Sequence, residues 1–263
     1  FMYRVAHLYI YPIKSLAGIE VLQARALQSG FEYDRRWMLT DQNARFLTQR
    51  EIPILSLFKT QIAGSTINVE YKSASFSVDV PESTGEPVKT CVFDDPADTV
   101  VVSEEADSWF SARLGRTVRL VRLASDRARE HFVKKHNNLI PVSLADGYPY
   151  LLLGTESLRG LNNKLTGKLS FDRFRPNIVV QTTESHEEDL WHNIGAGTAV
   201  FENAKPCGRC QIVTINQETA ISDNEPLKVL NTYRRSANSV LFGINLICRQ
   251  DGLVRSGDTV QIS

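Results

Sequence analysis

Two cysteines stand two residues apart in the stretch "PCGRCQIV", which starts at Pro206. Cys207 and Cys210 flank a glycine and an arginine, Gly208 and Arg209. Such a pair can form a redox disulfide, supply half of a zinc site, or leave one thiolate to hold a softer metal. A structural zinc site takes four ligands, usually as two paired clusters. Here Cys91 and Cys248 stand alone, and the five histidines form no HxxxH-type pair. A thioredoxin-like dithiol opens a helix after a strand. This pair instead runs into "QIVTIN", which reads as β, so dithiol chemistry is disfavoured. The bland alternative is that both cysteines pack, since free cysteine is among the most often buried residues.

Three other stretches carry cations at apparent strand ends. "YPIKSLAG" puts Lys14 and Ser15 in a turn after the first strand. "YDRRWML" puts Arg35 and Arg36 before an apolar run, and "FDRFRPNIVV" puts Arg175 and Asn177 before another. Arginine at a strand entry beside proline is costly to bury without an anion. Taken singly, each is the ordinary solvated charge. A repeated pairing of cation with hydroxyl or amide is also how phosphate is held.

The elements that must position these residues are mostly strands. Short alternating runs, among them "YRVAHLYIYPI", "RRWMLTD", "TINVEYK", "VKTCVFD" and "DTVQIS", are separated by Gly, Pro, Asp and Asn. Three helices are predicted. One follows a capping Ser103 and stops at Gly115; one has Thr155 as N-cap and Gly167 as stop; one has Asn224 as cap and Pro226 in its first turn, with Arg234 and Arg235 at its end. The charged stretch around 123–138 reads as a loop at a domain junction. Many strands with few helices imply barrels or sandwiches with helical decoration.

Composition narrows the class. The chain has 263 residues, 42% hydrophobic and 23% charged, with thirty basic and thirty acidic residues. No global basic field exists to attract a nucleic-acid polymer. No apolar run approaches bilayer length, so no membrane partner is expected. The first residues read as a strand and not as a signal peptide. Four cysteines are too few for a disulfide scaffold at this size, which suits a reducing cytoplasm.

Taken together, "YPIKS", "YDRRWML", "FLTQRE", "RFRPNIVV", "CGRC" and the late "FG" and "GD" resemble the MOSC family, in the two-part form with an N-terminal β-barrel region. The resemblance covers nearly the whole chain and keeps the family's motif order. It implies a mainly β (α+β) fold: a MOSC β-barrel with an N-terminal β-barrel-like region and a few helices, divided into 1–122 and 123–263. It implies a molybdenum–molybdopterin cofactor, with Cys210 as metal ligand and catalytic centre; a soft thiolate suits molybdenum. By the same matching, Lys14, Ser15 and Arg35 hold the phosphate side. Asp146, Arg175, Asn177, Gly208 and Arg209 line the rest. Asn245 stands where animal members carry a tyrosine. Pyridoxal phosphate binding is a further association at the level of the family.

The activity so implied is detoxifying reduction of a small N-hydroxylated substrate, an amidoxime or a hydroxylaminopurine. Oxygen leaves the N–OH group with two electrons and two protons. No cysteines for a ferredoxin-like cluster follow, so either such a domain has been cut away or, as expected, the donor is a separate electron-transfer protein. The alternative is a sulfur carrier or cofactor-handling protein, in which Cys210 bears a persulfide. In either case Lys14, Arg35, Arg175 and Arg209, if gathered, would repel one another until an anion entered.

Overall fold

The computed structural model describes residues 2–79, 85–124 and 128–263. The described chain is mainly β, with three α-helices. By its contacts it divides into two units that interleave along the sequence. One takes residues 1–10, 20–32 and 148–263; the other takes 11–19 and 33–147.

The first unit is built on a nine-stranded mixed sheet. Its central run pairs Arg4–Ile10, Ile178–Gln181, Tyr150–Gly154, Ser239–Gln250, Ala199–Arg209, Asn193–Ala196 and Val260–Ile262 in that order. All these neighbours are antiparallel except Tyr150–Gly154 with Ile178–Gln181, which are parallel. Parallel neighbours need a crossover, and the helix Thr155–Asn162 begins it. The order is an open path. Even so, an Arg4–Thr259 bridge and the bonds Val5 N to Asp258 O (2.9 Å) and Val260 N to Tyr3 O (2.9 Å) tie the first strand to the last. Leu153, Leu158, Leu161, Phe174, Val213, Leu230 and Phe242 form one core cluster. Phe31, Tyr150 and Phe201 stack edge to face beside the sheet, and the Tyr150 hydroxyl meets both backbone groups of Leu27.

In the second unit a four-stranded antiparallel sheet runs Trp37–Thr40, Arg119–Leu123, Asp95–Val101, Pro87–Val92. Trp37–Thr40 and Arg119–Leu123 carry buried residues on both faces. Trp37 and Leu39 join a cluster with Phe58, Phe110 and Leu120, whereas Met38 joins Val92, Val121 and Leu123. Alternation along a strand sends successive side chains to opposite faces, so two cores share one sheet. A three-stranded meander, Lys59–Ala63, Thr66–Tyr71 and Ala74–Asp79, covers the first cluster.

The first helix forms as its ends dictate. It spans Glu104–Leu114; Ser103 Oγ accepts from Ala106 N at 3.1 Å, and Gly115 closes it at φ +64°. The second ends at Asn162, well short of Gly167, and Gly154 is its cap; Thr155 Oγ1 instead accepts from Thr182 N. The third spans Glu225–Tyr233 with Pro226 in its first turn. Its opening amide is met by Asp223 Oδ1 (2.9 Å) and not by the side chain of Asn224.

Two sequence expectations fail here. "QIVTIN" is not a strand: Gln211–Thr214 is a single 3₁₀ turn following Cys210. The charged stretch is not a loop. Arg129–Val133 and Asn138–Val142 form a hairpin, because Val133, Ile140 and Val142 are buried despite their polar neighbours. Its residues 125–127 lie outside the described part.

Gly243 has no substitute. Its φ is +75°, and an added Cβ would stand 2.3 Å from Leu153 Cδ2 and 2.7 Å from the Leu152 carbonyl. Gly115 has a similar φ but open space. Gly115→Ala should therefore cost about 1 kcal/mol, the conformational strain alone. Gly243→Ala should cost at least about 3 kcal/mol, strain plus overpacking. Urea denaturation of the two variants checks the order.

Candidate functional site

In the second unit the chain turns through three charged segments. Lys14 is only 5% exposed; its Nζ donates to Leu144 O at 2.8 Å and to the Asp146 carboxylate. Arg50 Nη2 reaches the other oxygen of Asp146 at 2.7 Å. Arg129, fully buried, binds the Ser143 carbonyl at 3.0 Å, the Asp146 carbonyl at 3.0 Å, the Ala145 carbonyl and the Asp95 carboxylate. It fixes the 143–146 backbone that presents Asp146. Arg35 donates to Asp34 at 2.5 Å and lies over the Tyr11 ring, 4.5 Å from its centroid. Asp34 is fully buried and also accepts from Tyr11 N at 2.7 Å.

Electrostatics follows from unequal burial. Burial lowers Lys14 from 10.5 to about 8, against the pull of Asp146; Arg35 and Arg129 add to the lowering. Asp146 is half-exposed. Burial pushes its carboxyl up, but the charges of Lys14, Arg50 and Arg35 outweigh that and hold it well below the usual carboxylate range. Ser15 and Arg35 adopt left-handed φ of +70° and +50°. Such conformations are uncommon for residues other than glycine and persist where surroundings enforce them. The Ser15 carbonyl is held by Gln49 Nε2 at 2.7 Å, and Arg35 by Tyr11 O through its amide at 2.8 Å.

In the first unit the cysteine pair ends the strand Ala199–Arg209, which is bulged against Ser239–Gln250 between Pro206 and Gly208. Bulges bend a strand and redirect its side chains. Cys210 is exposed; Cys207 is half-buried; both are free thiols. Arg209 spans the motif: Nη1 donates to Cys207 Sγ at 3.1 Å and Nη2 to Phe174 O at 2.7 Å. Its Nε is buried and has no partner among the described residues. Arg175 follows Phe174 directly, at φ +55°. Asn177 is buried with both ends of its amide used, Oδ1 accepting from Leu151 N (3.3 Å) and Nδ2 donating to Tyr9 O (3.2 Å). Gly208 is exposed and pairs with Leu241. Asn245 pairs with Leu151 on one side and Lys205 on the other.

Thus Lys14, Ser15, Arg35 and Asp146 form one group, and Gly208, Arg209, Cys210 and Arg175 another. The image of bare, mutually repelling cations is corrected. Lys14 and Arg50 share Asp146, and Arg35 has Asp34. Arg209 rests on a thiol and a carbonyl. Sequence inspection missed Asp34, Arg50 and Arg129. Asp34 could have been suspected from its place between Tyr33 and two arginines. Nothing local marks Arg129, which sits among other charges and is buried only by the tertiary fold.

The residues fit a phosphate-bearing, thiolate-ligated metal group. In the first unit the orphaned Arg209 Nε, the enforced backbone at Arg175 and the exposed Cys210 thiol suit it; in the second, the enforced backbones at Ser15 and Arg35 do. Among the described residues no three His, Cys, Asp or Glu side chains gather to cage a metal. A metal at Cys210 would bring most of its ligands with it.

Two measurements test the charged group. Asp34→Ala strips a buried backbone amide and a guanidinium of their acceptor, and should lower unfolding free energy by about 3 kcal/mol in urea titration. Between about pH 8 and 10.5 the unfolded chain keeps Lys14 protonated and the folded chain does not. The unfolded state then binds more protons, so this group makes stability rise with pH in that window. The stability of the parent relative to Lys14→Met should therefore climb from pH 8 to 10.5; a decline would show that pairing with Asp146 outweighs burial.

The MOSC N-terminal beta barrel domain matches residues 2–117, and the MOSC domain matches residues 140–261. The chain is 29% identical to mitochondrial amidoxime-reducing component 1 of Xenopus laevis, over 97% of this chain and 81% of that one. It is 28% identical to the Homo sapiens protein of that name, over 98% of this chain and 82% of that one. It is also 29% identical to the molybdenum cofactor sulfurase of Arabidopsis thaliana, over 89% of this chain, but spans only 32% of the sulfurase. With both domains present, in order and over nearly its whole length, the chain belongs to the MOSC family.

Proposed function

We propose that this chain is a molybdenum-cofactor-dependent reductase of small N-hydroxylated compounds, amidoximes or hydroxylaminopurines, served by a separate electron-transfer protein. The observation that carries this proposal is the exposed Cys210 thiol, next in the chain after Arg209, whose guanidinium is pinned at both terminal nitrogens by the Cys207 thiol and the Phe174 carbonyl. Relatives named for amidoxime reduction match along almost the full chain, which supports it further. When bound, molybdenum–molybdopterin supplies the two-electron removal of oxygen from an N–OH group. The protein binds, orients and tunes.

Cys210 is the metal ligand. Lys14, Ser15 and Arg35 hold the phosphate, and Asp146 keeps Lys14 in place. Arg175, Asn177, Gly208, Arg209 and Asn245 line the remainder; for Asn177 this means backbone placement, since its amide is spent. A bound dianion would stabilise the charged form of Lys14 and draw its pKa up from about 8. A reducing cytoplasm suits an exposed thiol of this kind. The same Cys210 could instead carry sulfur, as the sulfurase match allows.

The test measures molybdenum content beside reduction of benzamidoxime or 6-hydroxylaminopurine by a chemical donor. Cys210→Ala should abolish reduction. Cys207→Ala should keep much of it, losing only the Sγ contact that steadies Arg209; equal loss from both would favour a redox disulfide. Arg35→Ala or Arg175→Ala should weaken metal retention about tenfold, the worth of one charge-assisted contact. Activity per bound molybdenum should hardly change. Loaded protein that reduces neither compound, yet passes labelled sulfur from Cys210 to an acceptor, would overturn the reductase in favour of the carrier.

A further inference from the structure

The first unit contains a second polar recess that the proposed reaction does not use. It is a cavity of about 660 Å³ between the 166–173 loop and the 216–226 segment. Arg173 lines it and is only 6% exposed. Its Nε donates to Val213 O at 3.1 Å, and its two terminal nitrogens have no protein partner among the described residues. Burial lowers its pKa, while Asp172 and Asp223 pull the other way without pairing with it. A buried guanidinium with unspent donors is costly unless something accepts them.

The carboxylates nearby are already engaged. Asp172 accepts from Ser170 Oγ, Asp223 from Glu225 N, and Glu225 from the amide and hydroxyl of Thr166. The cations of the lining are Arg173 and exposed Lys168. Yet four carboxylates, with Glu218 the fourth, surround two cations. A phosphate dianion would meet an excess of negative charge. A single carboxylate carrying its own ammonium group would not. Its carboxylate matches the guanidinium fork, and its ammonium faces the acidic lining. Leu169 and Ile221, the latter 68% exposed, add an apolar rim.

The geometry points to a binding site for a small zwitterion of the α-amino-acid class, its carboxylate on Arg173 and its apolar side chain toward Ile221. This site is independent of the molybdenum chemistry proposed above.

Backbone amide NMR of the full chain with added L-leucine tests it. Saturable shifts should appear in 166–173 and 216–226. Isovalerate, lacking the amine, and isoamylamine, lacking the carboxylate, should each bind about tenfold more weakly, one charge-assisted contact being lost. Arg173→Gln should weaken leucine by a similar factor. Because Arg173 also supports Val213 O, Lys168→Glu serves as a second variant; Lys168 is exposed, so the fold is kept, and added negative charge should weaken leucine binding. Absence of saturable shifts up to ~10 mM, weaker than any useful affinity, would overturn the site. So would leucine binding unchanged in both variants. Tighter binding of inorganic phosphate or of isoamylamine than of leucine would overturn the zwitterion assignment.

Discussion

A lysine taken out of water dictates the loops of the 11–19 and 33–147 unit. Lys14 is held in the interior by two hydrogen bonds, to the Leu144 carbonyl and the Asp146 carboxylate. Those groups stay in reach because Arg129 grips the carbonyls of residues 143, 145 and 146 from behind. Arg129 in turn is tolerable in the interior because Asp95 neutralises it. Each buried charge makes the next partner necessary, which is the usual condition for burying charge at all. The result is a charge-lined corner whose loops are tied by side-chain bonds to the backbone.

The other unit solves a different problem, delivering a thiol to an exposed place on a rigid support. The long strand Ala199–Arg209 gains its rigidity from pairing along nearly its full length with Ser239–Gln250. Its bulges bend it before the cysteines, and the chain leaves the sheet at Cys210. Arg209 then ties the strand end to Phe174, one residue before the left-handed Arg175. A side chain mounted this way has little freedom to lose if a ligand arrives, which is what preorganised sites require. The Arg209–Cys207 contact also gives the first cysteine a purpose other than forming a disulfide.

Strained backbone recurs at Ser15, Arg35 and Arg175, all singled out from their side chains alone. Left-handed φ also occurs at Ala44, Lys72 and Ala220, in ordinary turns, so the conformation alone is no mark of function. Its weight at these three positions comes from company: a fixed carbonyl at Ser15, a carboxylate clamp at Arg35, a neighbouring arginine anchor at Arg175.

Residue type and local order decided much of this protein. The strand content, the Ser103-to-Gly115 helix and the motif set that marks the MOSC family are all legible in short windows, because caps, alternation and turn residues act over a few positions. Local windows failed where the tertiary surroundings overruled them. Gln211–Thr214 has β-like residues but turns in 3₁₀ form after the strand ends, and the charged 129–142 stretch is a hairpin because its alternate residues find a core. Burial of Arg129, the pairing of Lys14 with Asp146, and the donors left unspent on Arg173 could be decided only by the folded chain. A charge in sequence carries no sign of whether water or a partner will surround it; that depends on residues a hundred positions away, brought near by the fold.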